Sequence, residues 1–157
     1  IKMRNLSYFM RETKEEIVKV KAPESFKDEN GNAIDMEVKL LSNQHINKIR
    51  EKYRRRSIAL DKKGNPYISN GEVAFKTEDN FSKFLRHILA EAIVYPDMRS
   101  KEIMEFYNCY DVSEIPLRVF SDMEEYNYVF KTVLTLLGVL PKDEEDTDDK
   151  DIEEAKN

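Results

Sequence analysis

The sequence has one cysteine, four glycines and no tryptophan. It also has no apolar run near the roughly 18 residues that a membrane helix needs. Each scarcity excludes something. Cys109 alone cannot build an internal disulfide framework or a cysteine-based zinc site, and it is compatible with a reducing cytoplasm. Gly31, Gly64, Gly71 and Gly138 are too few and too scattered for the glycine-rich loops that cradle phosphates. The only histidines, His45 and His87, have no His or Cys neighbour at ligand spacing, so no metal site and no cofactor is read from these residues. No basic-then-apolar stretch with a small-residue cleavage site points to export.

What is present is one domain's worth of core and an uneven charge. Of 157 residues, 40% are hydrophobic and 36% charged, enough for one modest core and too apolar for a wholly disordered chain. The net charge of −5 is concentrated at one end. Residues 141–157 hold nine acids against three lysines, and the other 140 hold 23 bases and 22 acids. The reading is therefore a nearly neutral domain over residues 1–140 and an acidic, disordered tail over 141–157, where almost nothing apolar offsets ordering entropy.

Periodicity places the elements. Leu6, Phe9 and Met10 recur at offsets of three and four, which predicts one or two amphipathic helical turns over 5–14, too short to stand without docking. Ile17 to Lys21 is β-rich. Ile34, Met36, Val38 and Leu40 alternate with Asp35, Glu37 and Lys39, and Asn30-Gly31 precedes them, which predicts a hairpin with one buried face. Ser42 caps a predicted helix running to about Arg56, with Ile46, Ile49 and Tyr53 as its stripe. Residues 57–76, with turn formers around Gly64 and Gly71, predict a long loop or a loose hairpin.

The strongest helix joins Phe81, Phe84, Leu85, Ile88, Leu89, Ala92 and Ile93, capped by Thr77 or Asp79 and ended by Pro96. A short helix after Asp97 or Ser100 and another from an Asp111–Glu114 capping box through Val119 follow. The last helix starts at a Ser121–Glu124 box and runs through Val129, Val133 and Leu137 to Gly138 and Pro141. The fold class is α+β: a small N-terminal antiparallel hairpin or sheet, then four to five helices.

The residues carry little chemistry. Glu15-Glu16, Glu124-Glu125 and Glu144-Glu145 are sequence neighbours whose side chains diverge on a helix, so they read as solvated faces rather than a catalytic pair. Cys109 reads as a small buried residue. The acidic run 146–151 lacks the glycine and terminal glutamate of a calcium loop. Nothing supports an enzyme. Two features suggest binding. Lys48, Arg50, Lys52, Arg54, Arg55 and Arg56 form a basic stretch that could meet phosphates, an acidic protein or the chain's own tail. A neutral body and a competing tail argue against nucleic acid. Leu6, Phe9 and Met10 form the other candidate binding surface.

The order of features resembles the XkdN-like tail assembly chaperones of tailed phages and PBSX-type, phage-derived contractile-tail elements. The residues that carry the resemblance are Asn5 to Met10, Phe26 to Asn32 with the strand Ile34 to Leu40, the basic capped helix, Val94 to Asp97, and Pro116 to Leu140. Residues 57–76 and the acidic tail fall outside it. The resemblance implies a non-catalytic protein of the bacterial host cytoplasm that binds the tape measure protein and keeps it soluble. It would help recruit tail tube protein, self-associate, and be absent from the mature particle. The alternatives are a small nucleic-acid-binding regulator using residues 48–56, or a structural tail component.

Overall fold

The computed structural model describes residues 3–142. After a single 3₁₀ turn at Leu6–Phe9 come β1 (Ile17–Lys21), β2 (Asp35–Lys39), α1 (Asn43–Lys52) and β3 (Arg54–Ile58). Next are β4 (Ile68–Ser69), β5 (Glu72–Val73), β6 (Phe75–Asp79), α2 (Phe81–Ala92) and β7 (Ile93–Tyr95). α3 (Lys101–Tyr107), α4 (Ile115–Val119) and α5 (Met123–Leu136) complete the described chain. The class is α+β, as expected. An antiparallel sheet of order β1-β2-β7 packs with the helices, and a separate ribbon of β3 and β6 carries the β4–β5 hairpin.

The alternation in β2 does what it predicts. Met36 and Val38 are fully buried, and Val20 and Val18 of β1 lie opposite them. They join a core built chiefly on α2, where Phe84, Leu85, Ile88, Leu89 and Ala92 are all buried. Burying Ile88 or Leu89 contributes about 2 kcal/mol each from apolar transfer. α5 adds Val129, Val133 and Leu134. It is tied to the sheet by the Tyr128 hydroxyl, which donates to the Lys21 carbonyl at 2.8 Å, and by Ser25 donating to Glu125. α5 ends as its glycine predicts. Gly138 has φ +76°, its N–H reaches Thr135 O at 3.1 Å, and the Val139 N–H reaches Leu134 O at 3.0 Å.

The structure corrects the expected boundaries. α1 stops at Lys52, and Arg54–Arg56 belong to β3, because Arg54 to Ile58 pair antiparallel with Asp79 to Phe75. Of the two readings for residues 57–76, the hairpin is the one that forms: these residues make the body of a ribbon that ends in the β4–β5 hairpin. α2 is capped by Asn80, whose side chain accepts from the Lys83 N–H, and it stops at Ala92. Ile93–Tyr95 pair instead with β2, as suits a residue before proline. The expected Asp111–Glu114 box does not form: the Asp111 carboxylate accepts from Ser113 N–H and Oγ at 2.9 and 2.7 Å, while Glu114, the N-cap residue of α4, makes no side-chain cap bond and pairs with Arg86 at 3.1 Å. Asp122 rather than Ser121 caps α5. The acidic segment from Asp143 onward lies outside the described residues.

Candidate functional site

The N-terminal segment is anchored at one point and clear of the core beyond it. Glu15 accepts the Ser42 N–H and bonds His45 Nδ1, each at 2.8 Å, and the Leu40 N–H reaches Glu16 O at 2.7 Å. The Ser42 amide chiefly, with His45, holds the Glu15 carboxyl below the usual carboxylate range. Upstream, the expected helical turns reduce to one 3₁₀ turn capped by Asn5. Leu6, Phe9 and Met10 are 67%, 88% and 71% exposed. The docking that the amphipathic pattern required is not made by the chain's own domain.

The six cations do not share a face. On α1, Lys48 and Arg50 are two residues apart, about 200° around the helix. On β3, Arg54 and Arg56 point to one side of the ribbon and Arg55 to the other. Several are engaged already. Arg54 meets Glu51 at 3.0 Å and Asp79 at 3.3 Å, Arg50 meets Asp79 at 3.5 Å, and Arg56 stacks on Phe75 at 4.3 Å. Arg54, Arg55 and Arg56 nevertheless line a broad groove with Lys52 and Lys83.

Both histidines, unconnected in sequence, converge on Glu91. His45 Nε2 and His87 Nε2 each lie 3.5 Å from its carboxylate, and Arg99 lies 3.0 Å away. Tyr53 OH sits 2.5 Å from His87 Nδ1. A neutral imidazole protonated on Nε2, accepting from the tyrosine and facing the glutamate, satisfies this arrangement. Burial pushes the His87 pKa down, opposed by Glu91, and burial pushes the Tyr53 phenol up. The network ties the N-terminal anchor to α1, α2 and the segment before α3. Periodicity could not show it, because Glu15, His45 and Glu91 meet only through tertiary packing.

A third feature also escaped the sequence. At the end of the sheet where β1 finishes, Phe26, Met36, Tyr95, Ile103, Phe106 and Phe120 surround an apolar cleft of about 330 Å³. Tyr95 is 50% and Phe106 79% exposed. The sequence signal was faint, namely an aromatic residue before Pro96 and one residue of α3 off the buried stripe.

Several of the reactive groups singled out in the sequence are buried or paired. Cys109 is buried, as read. Glu125 is bonded to Ser25, and Glu15 to Ser42 and His45. Among the described residues no group of three or more His, Cys, Asp or Glu could hold a metal, and no helix is long and apolar enough to cross a membrane.

Comparison with known proteins sharpens this. Residues 6–156 match the family of phage XkdN-like tail assembly chaperone proteins, so the match runs through the ribbon and into the acidic segment that the sequence pattern left out. The phage-like element PBSX protein XkdN of Bacillus subtilis strain 168 is 29% identical over 156 residues, spanning 98% of this chain and 94% of that protein. YqbN, an uncharacterized protein of the same strain, is 29% identical over 157 residues, spanning 98% and 93%. The crystal structure of YqbN superposes with a TM-score of 0.61 at 23% identity, covering 87% of this chain and 98% of that one, which shows a shared fold. With a family match over nearly its whole length, the chain belongs to the XkdN-like phage tail assembly chaperones.

Proposed function

We propose that this chaperone binds the tape measure protein in the bacterial host cytoplasm, holds it soluble, and helps recruit tail tube subunits. It makes and breaks no bond and leaves before the particle is complete. The observation that carries the reading is the exposed trio Leu6, Phe9 and Met10 on an anchored but otherwise undocked segment. A long helical client presents apolar stripes that aggregate when bare, and covering them yields about 25 cal/mol per Å². A single 3₁₀ turn is marginal alone, so the segment can adjust to its ligand, and methionine suits a repetitive, imprecise one. The aromatic cleft at the sheet's end gives a second apolar contact on the same molecule.

Co-expression with the tape measure protein of the same genome tests this. Soluble recovery and co-elution on size exclusion are scored, with a deletion of Asp28 to Gly31 as the misfolded control. The expected result is a client soluble only in the presence of the chaperone, and co-eluting with it. A client that stays insoluble while the chaperone elutes alone would sink the proposal. A protein that remained in purified particles would instead be a structural tail component.

A further inference from the structure

We propose that two copies of this chain associate face to face through one apolar side of the ribbon that β3 and β6 form with the β4–β5 hairpin. Strand pairing and the pleat gather five large apolar side chains on that side. Ile58 lies opposite Phe75 and Ile68 opposite Val73, and residues paired across strands share a face. Leu60 follows Ile58 by two positions and Val73 precedes Phe75 by two, so each falls on the side of its neighbour. Between them the Ala59 N–H donates to the Ala74 carbonyl at 2.9 Å, which keeps the strands together. Arg56 shares this side too, with its guanidinium 4.3 Å from the centre of the Phe75 ring. The opposite side of β3 and β6 carries Arg55, Ser57, Lys76 and Glu78 and is polar.

The described chain leaves the apolar side bare. Its five residues run from 41% exposed at Val73 to 63% at Ile68. Half-exposed, each keeps on the order of 100 Å² in water, about 500 Å² in all. A bare apolar patch of that size marks a contact surface. Two such faces pressed together remove about 1,000 Å² from water, the lower bound for a specific interface. A ribbon with one apolar and one polar side is half of a two-layer sandwich, and a second copy supplies a sheet of matching width and apolar length. Charge does not oppose the contact. Arg54 is paired with Glu51 and Asp79, and Arg56 lies on Phe75. A twofold axis across the ribbon also sets each arginine root against the partner's turn end, which keeps like charges apart. Leu6, Phe9 and Met10 belong to a different segment, so this association stands apart from client binding.

Sedimentation velocity of the intact chain, from low to high micromolar concentration, tests the proposal. The expected result is a monomer that converts to a dimer as concentration rises. In the intact chain carrying Ile58→Thr, Val73→Thr and Phe75→Thr, the strand preference is kept and the dissociation constant should rise at least about tenfold. Ile68→Lys alone, on the outer hairpin, should weaken the dimer without touching β3 or β6. Denaturant unfolding of both variants at concentrations where the native chain is monomeric should match the native midpoint, which separates a lost interface from a lost fold.

A native chain that stays monomeric at every concentration would overturn the proposal. If the threonine variant of such a chain also lost co-elution with the tape measure protein, the face would belong to the client instead. A dimer that survives both variants with its dissociation constant unchanged would place the interface elsewhere on the molecule.

Discussion

Two turns in this chain are built alike and end in opposite fates. Asp28-Glu29-Asn30-Gly31-Asn32 and Asp61-Lys62-Lys63-Gly64-Asn65 share one hydrogen-bond plan. In each, the aspartate side chain accepts from the amides two and four residues on, all at 2.9 Å. In each, the glycine N–H returns to the aspartate carbonyl at 3.0 Å, with φ of +78° at Gly31 and +84° at Gly64. The first leads into β2, which buries Met36 and Val38. The second sits on the ribbon, where Ile58, Leu60, Tyr67, Ile68, Val73 and Phe75 all remain exposed. Turn chemistry closes a hairpin, but the strand beyond it decides whether the hairpin joins a core. An isolated two-stranded ribbon is marginal in water, so this one depends on its root at α1 and α2.

The contrast can be broken most forcefully in the core. Leu89→Ala should cost about 3 kcal/mol in denaturant unfolding through lost transfer energy and a cavity, whereas Phe75→Ala on the ribbon should cost under about 1 kcal/mol. Equal losses would mean that the ribbon is part of the cooperative core.

The triple change Leu6→Ser, Phe9→Ser and Met10→Ser should leave the unfolding midpoint within about 0.5 kcal/mol of native, since these side chains are exposed. It should lower soluble client recovery several-fold in co-expression. A large stability loss would show that the segment belongs to the domain after all.

The paired glycines give a finer test. Neither site crowds an added Cβ, so Gly31→Ala and Gly64→Ala each meet only the positive-φ strain, about 1 kcal/mol. Global unfolding should register the loss at Gly31. At Gly64 it should appear as faster amide exchange confined to the ribbon.

The smallest effect concerns pH. His87 has its folded pKa below the ordinary value near 6.5, so the unfolded chain binds the proton more readily. The stability tied to it is complete above that value and declines as pH falls through it toward the folded pKa. Glu91 of the same helix opposes the shift by favouring the charged ring, while Lys52 and Arg99 reinforce it and Tyr53 faces Nδ1. Denaturation midpoints between about pH 7 and 5.5 should therefore fall for the native chain and fall less for His87→Gln. Identical slopes would remove His87 as the source.

The regular elements were legible where a side chain's fate is set by its near neighbours. The stripe Phe84-Leu85-Ile88-Leu89 and the alternation Met36-Val38 needed only a period, and Gly138 ended α5 because its positive φ suits that turn. β3 was not legible. Arg54-Arg55-Arg56 continues a good helical composition, and only pairing with residues 75–79, twenty or so positions away, pulls it into a strand. β7 was lost for the same reason, because its partner β2 lies far back in the chain. The apolar trio Leu6, Phe9 and Met10 was named from sequence, but its exposure was not readable there. The same apolar spacing describes a core face and a bare one.

By itself the sequence determined the α+β class, the central helix, the one-sided strand, the helix stop at Gly138 and the concentration of acid near the end. These follow from propensity, period and φ, which act over a few residues. Tertiary structure alone decided that the basic run is shared between helix and ribbon, that two histidines meet one glutamate, and that Leu6, Phe9 and Met10 face solvent. Those outcomes depend on which distant surfaces compete to cover a side chain, and that competition is settled only when the whole chain has packed.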